Sequence, residues 1–196
     1  MKEHAISFEK LFRRNRILLF LETLLVYCLM GVLLASFHEE ITKHERPCPL
    51  CYLQRFAFLG TAMSVLMNIR FGLRTKYIAF TLLFSIFGNI VSTRQILLHI
   101  CPGFPKFGYP VFGYSLYSWA YILFAFVVLS QVILLFWSHP KLQELPKKSF
   151  NWWEKGAFLF VLLCLLGNIT STFFQCGFHY CEDTPWPPQK TLEIKR

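Results

Sequence analysis

Cys48 and Cys51 stand in "ERPCPLCYLQRF", residues 45–56, with Pro47 and Pro49 flanking the first and Arg55 one helical turn beyond the second. Two cysteines at this spacing can close a short disulfide, exchange it with another thiol, or ligate a metal ion. A proline in the first turn of a helix removes no hydrogen bond the helix would use, so the two prolines predict a helix start here. The cysteines then sit at a helix N-terminus, where unpaired amides and the positive end of the dipole favour thiolate over thiol. On a continuous helix Arg55 shares a face with Cys51, one turn deeper, and its charge favours the same ionised state. A second pair, Cys176 and Cys181, occurs in "FQCGFHYCEDTPWPP".

The elements that must position these residues belong to lipid. Of 196 residues, 55% are hydrophobic, 18% aromatic and only 16% charged, against about 25% charged in an average soluble domain. Crossing the hydrocarbon takes about 20 apolar residues, and runs of that kind are read at 17–37, 50–69, 77–98, 115–137 and 156–174. The sequence therefore predicts an all-α integral membrane protein, a four-helix transmembrane bundle plus an additional fifth transmembrane helix, forming one membrane domain over 1–196. The run from Arg16 to Phe37 is too long for a typical signal-peptide core and is read as a retained anchor.

A formal net charge of +9 raises the question of nucleic acid, and the placement of the charges answers it. The N-terminus, the 70–76 loop and the 138–155 loop carry twelve lysines and arginines, whereas the opposite side carries six: Lys43, Arg46, Lys106, Lys190, Lys195 and Arg196. This is the positive-inside bias, and it alternates as five spans require. The expectation is a bacterial inner-membrane, multi-pass protein with a cytoplasmic N-terminus, a periplasmic C-terminus, membrane lipid around it and no nucleic-acid partner. Segments 38–49, 99–114 and 175–196 are then periplasmic.

Topology sorts the seven cysteines. Cys28 and Cys164 lie within spans and read as small buried hydrophobes. Cys48, Cys51, Cys101, Cys176 and Cys181 fall on the outer side, which is oxidising in a bacterial cell. Two redox pairs facing one compartment are the leading reading, with Cys101 left over. A static Cys48–Cys51 disulfide is one alternative, though so short a loop gains little from closure. A zinc-stabilised scaffold is another, disfavoured because an oxidising compartment favours disulfides over free thiolate ligands. No metal is expected. A small transporter subunit would need a polar path through the bundle, and the polar residues noticed in the spans cluster instead in the outer halves of spans two and three.

Arg55 lies where a charge inside a span points to function, with snorkelling to the interface as the plainer account. A reactive thiolate beside a cation at the lipid boundary suits an electron acceptor that itself lives in lipid, such as a quinone. Span three, "SIFGNIVSTRQILLH", adds Asn89, Arg94, Gln95 and His99 in its outer half. Arg94 and His99 are candidates to polarise quinone carbonyls, while for Gln95 and His99 helix-linking hydrogen bonds are the simpler expectation. The segment 101–119, rich in proline, glycine and aromatics, reads as lying along the membrane surface.

At "CPLCYLQR", opening the second span, the chain resembles the DsbB family of disulfide-generating, quinone-reducing membrane proteins; the likeness covers about residues 15–137. The resemblance implies Cys51 as the quinone-reducing thiolate, Arg55 as its electrostatic partner and Cys48 as the thiol that exchanges with a second pair. It implies ubiquinone or menaquinone as cofactor and a periplasmic DsbA-like thioredoxin-fold protein as partner. The family's second pair lies between spans three and four, where this chain has only Cys101. Cys176 and Cys181, after the extra span, are the candidates to replace it, on the side of the membrane where Cys48 and Cys51 are expected. On this reading Cys51→Ser abolishes quinone-dependent turnover and Arg55→Ala slows it with little loss of folding.

Overall fold

The computed structural model describes residues 2–43, 49–100, 111–137 and 151–176. Five helices follow in order: α1 (Lys2–Lys43), α2 (Pro49–Phe71), α3 (Thr75–Ile100), α4 (Leu116–Trp137) and α5 (Trp152–Cys176). All five contain stretches long and apolar enough to cross a membrane, from Asn15–Thr42 in α1 to Trp152–Phe174 in α5. This is an all-α, multi-pass membrane protein.

Local chemistry explains where the helices begin and end. Pro49 is the first residue of α2, as a first-turn proline should be. Gly72 ends that helix at φ +86, a left-handed conformation that costs glycine nothing. Across the same turn the Arg74 amide donates to Asn68 Oδ1 at 3.4 Å, which fastens the start of α3 to the end of α2. At the head of α5 the Asn151 amide donates to Glu154 Oε2 at 2.9 Å, half of a capping box. Between α3 and α4, Val111 and Tyr114 exchange two backbone hydrogen bonds around Phe112 and Gly113, both at positive φ, and the Trp119 indole donates to Val111 O.

Helix α1 runs six residues beyond the apolar stretch that ends at Phe37. Glu39 and Glu40 close a hydrophobic run without breaking a helix, because glutamate is a good helix former. That extension brings Glu40 to the site described below.

Helix α2 lies at the centre. Its Ala57, Phe58, Ala62 and Val65 pack with Leu29, Met30 and Leu33 of α1, Phe124 and Val127 of α4, and Ala157 and Val161 of α5 in one buried cluster. Helices α2 and α3 are antiparallel and held in register by hydroxyl and amide groups: Gln54 Nε2 donates to Ser92 Oγ at 3.1 Å, and the Thr61 and Ser85 hydroxyls meet at 3.3 Å. Helix α4 returns antiparallel to α3, with Phe124 seated against Gly88, where any Cβ would collide with its ring, and stacked on Phe58 at 4.3 Å. Helix α5 runs parallel to α1, with Tyr27 meeting Trp153 and Gly156, and Phe37 meeting Gly167. Large apolar side chains such as Phe20, Leu83, Leu129 and Leu163 point outward, the surface that hydrocarbon accepts.

A buried carboxyl lies within the apolar run of α1, where nothing in the hydropathy pattern marks it. Glu22 of α1 is buried and accepts a 2.7 Å hydrogen bond from Gln131 Nε2 of α4, 109 positions away in the chain. Being 14 residues from Ser36, it stands about 21 Å along α1 from the Cys51 end, so polar groups occur at both ends of the bundle.

Candidate functional site

Cys51 occupies the first turn of α2, half-buried against α3. Gln95 of α3, itself fully buried, donates from Nε2 to Cys51 Sγ at 3.5 Å. The sulfur thus receives an amide N–H at the first turn of the helix, where unpaired backbone amides also gather. Gln95 does link helices, as its type suggested, and its partner is the thiol itself. Its backbone carbonyl accepts from His99 Nδ1 at 2.7 Å, and the His99 ring stacks on Tyr117 of α4 at 5.1 Å. With Nδ1–H so engaged, a neutral His99 presents an acceptor at Nε2; only the imidazolium would offer a donor there.

Arg55 lies one turn below Cys51 and is 3% exposed. Nε and Nη2 donate to Ser36 Oγ of α1 at 3.1 and 3.0 Å, and Nη2 also reaches the Ser36 carbonyl at 3.4 Å. Nη1 approaches Glu40 Oε2 to 2.6 Å as an ion pair, with the N–H turned off the line of a hydrogen bond. The Phe37 ring covers the guanidinium at 4.7 Å and Tyr52 flanks it at 5.7 Å. Glu40 in turn accepts from the Ser171 hydroxyl of α5. The charge is thus buried, paired and hydrogen-bonded across α1, α2 and α5; it does not snorkel.

Arg94 is exposed and faces another way. With Asn89 and Thr93 it lines a groove of about 570 Å³ between α3 and α4 that also includes Tyr121. The structure therefore gathers Cys51, Gln95 and His99, sets Arg55 one turn beneath, and leaves Arg94 on the neighbouring groove. Cys48, Cys101 and Cys181 lie outside the described residues. Cys176 is the last residue of α5, five residues past Ser171, while Cys51 is four before Arg55. At about 1.5 Å per residue both backbones climb about 6–8 Å from the Ser171–Glu40–Arg55 link toward the same end of the bundle.

Sequence reasoning missed Ser36, Glu40 and Ser171. Serines in spans carry no signal of their own, and Glu40 falls just past the apolar run that ends at Phe37, in the segment 38–49 expected outside the membrane. The visible signal was the arginine, since a buried cation requires a counter-charge.

Comparison with known proteins bears on the same residues. Residues 15–106, which contain α2, most of α1 and all of α3, match the family described as disulfide bond formation protein DsbB. Just under half of the chain is therefore similar to the DsbB family. Two relatives, both named disulfide bond formation protein B, agree: one from Cupriavidus metallidurans, 33% identical over 69 residues, and one from Marinobacter nauticus, 41% identical over 44. The alignments cover 35% and 22% of this chain and 43% and 26% of the relatives, so the chain spans less than half of either. No solved structure matches. The DsbB match takes in Cys48, Cys51, Arg55 and Gln95, and stops short of α4, α5 and the second cysteine pair.

Proposed function

We propose that this protein is a DsbB-like membrane thiol-disulfide oxidoreductase that reoxidises a periplasmic thioredoxin-fold dithiol protein and passes the electrons to a membrane quinone. The observation that carries the reading is Cys51 at a helix N-terminus, with the Gln95 amide on its sulfur and a buried arginine one turn below. Those groups hold a thiolate in a half-buried position at the edge of a lipid-facing helix pair. A quinone bound here would supply a two-electron acceptor; Cys51 would face it and a protonated His99 would offer a donor to one of its carbonyls, while Arg94 lines the adjacent α3–α4 groove.

The rest of the relay belongs to the chain's own sulfurs. A thiolate of the partner attacks the Cys176–Cys181 disulfide, the two thiols so formed reduce Cys48–Cys51, and two electrons leave through Cys51. Each exchange is favoured by whichever thiol is ionised and accessible. The similar heights of Cys51 and Cys176 support an exchange between the two pairs.

Acid-quenched thiol trapping in native membranes tests this. With quinone present both pairs should be disulfides; after quinone depletion both should accumulate as thiols, and Cys51→Ser should abolish reoxidation. Pairs that remain disulfides in both conditions are structural, and thiols that react only after a chelator is added indicate a zinc scaffold. Either result overturns the relay.

A further inference from the structure

Arg55 stands about 6 Å below Cys51 along α2, yet its hydrogen bonds and its ion pair all run to α1. A guanidinium held 2.6 Å from a carboxylate presents little net charge to a third group, whereas an unpaired one presents a full unit. The field that Arg55 exerts on the thiol is therefore governed by Glu40, and Glu40 is itself held by Ser171 of the fifth helix.

We propose that Glu40 is a positioning residue for Arg55 that moderates its charge at Cys51, and that α5, through Ser171, sets where that carboxylate lies. The proposal rests on Cys51 being the reactive thiol of the proposed relay. It gives the fifth helix a task at the first cysteine pair beyond carrying the second.

The test reads Cys51 alone. Protein reduced with dithiothreitol, in lipid nanodiscs without quinone or partner, is treated with iodoacetamide at pH 7, and Cys51 modification is followed by peptide mass. Removing the counter-charge with Glu40→Gln keeps size and hydrogen bonding. It should raise the thiolate fraction about tenfold, reduced to a threefold to tenfold gain in rate because a more acidic thiol is a poorer nucleophile. Arg55→Met should slow the reaction. The decisive variant is Glu40→Gln combined with Arg55→Met, which removes both charges of the pair and should bring the rate back to within about twofold of wild type, because the intact pair already presents little net charge to the thiol. Ser171→Ala should move the rate in the same direction as Glu40→Gln, and Ser171→Thr, which keeps the hydroxyl, should restore it.

A Glu40→Gln protein of native helix content whose rate stays within twofold of wild type overturns the proposal. So does a double variant that alkylates as fast as Glu40→Gln alone. Because no quinone is present, the two readings fail separately: an intact double-mutant cycle in a protein that never passes electrons to quinone refutes the relay and leaves Glu40's role standing.

Discussion

At the scale of single residues, the surroundings of Arg55 change what its removal should do. The sequence suggested a cation near the interface, removable at little structural expense. The structure shows it buried, with a carboxylate at 2.6 Å and three hydrogen bonds to Ser36, so Arg55→Ala strands Glu40 in the protein interior. Breaking a buried pair from one side costs about 3–5 kcal/mol, which for a chain of this size lowers the thermal midpoint by on the order of 10 °C. Arg55→Lys keeps the charge opposite Glu40 and loses the fork that Ser36 binds; its midpoint should fall between alanine and wild type. Thermal unfolding in detergent by circular dichroism checks the order. Gln95 gives a second prediction. Gln95→Leu removes the donor on Cys51 and should slow Cys51 alkylation about tenfold, the worth of one hydrogen bond to a charged group. Gln95→Glu, which turns an anion toward the sulfur, should slow it further. Equal rates in wild type, Leu and Glu variants would remove Gln95 from the site.

At the scale of helices, side chains too small to register in hydropathy decide how closely the elements approach. The five apolar stretches, the start of α2 at Pro49 and the sharing of a face by Cys51 and Arg55 were legible, because length, proline and helical period are properties of local sequence. Pairing was not. That Gln95 meets Cys51 while Arg94 faces the α4 groove depends on the rotation of α3 about its axis, which neighbouring helices fix. The ladder Gln54–Ser92 and Thr61–Ser85 sets that rotation, and such residues also occur as unpaired polar positions. Glu40 was hidden for a different reason: the apolar run stops at Phe37 while the helix continues to Lys43. Gly88 offers a direct test of element packing. Phe124 fills the space a Cβ would need and is clamped by its stack on Phe58, so it cannot swing away. Gly88→Ala should cost about 1–3 kcal/mol through overpacking between α3 and α4, whereas Gly31→Ala, with open space at its Cβ, should be neutral or stabilising through helix propensity. Comparing the two thermal midpoints in the same detergent separates packing from propensity; equal midpoints would contradict the described α3–α4 interface.

At the scale of the whole molecule, the proposed relay requires both cysteine pairs on one oxidising side, and that depends on orientation. The helices supply half of the argument: α5 is parallel to α1, and the Glu40–Ser171 bond joins their C-terminal portions. The end of α5 and the start of α2 therefore belong to the same end of the bundle whichever way the protein inserts. Charge supplies the other half. Twelve lysines and arginines flank the opposite end against six at this one, and the positive-inside rule then predicts that the cysteine end faces outward. Single cysteines introduced at two exposed sites test the inference: Phe112, in the turn before α4, and Trp152, at the head of α5. The background carries serine at Cys48, Cys51, Cys101, Cys176 and Cys181, leaving Cys28 and Cys164 within spans. A membrane-impermeant maleimide applied to intact spheroplasts should label Phe112→Cys at once and Trp152→Cys only after permeabilisation. The reverse pattern would put the first cysteine pair in the reducing cytoplasm, where a disulfide relay of this kind has no oxidising compartment to serve.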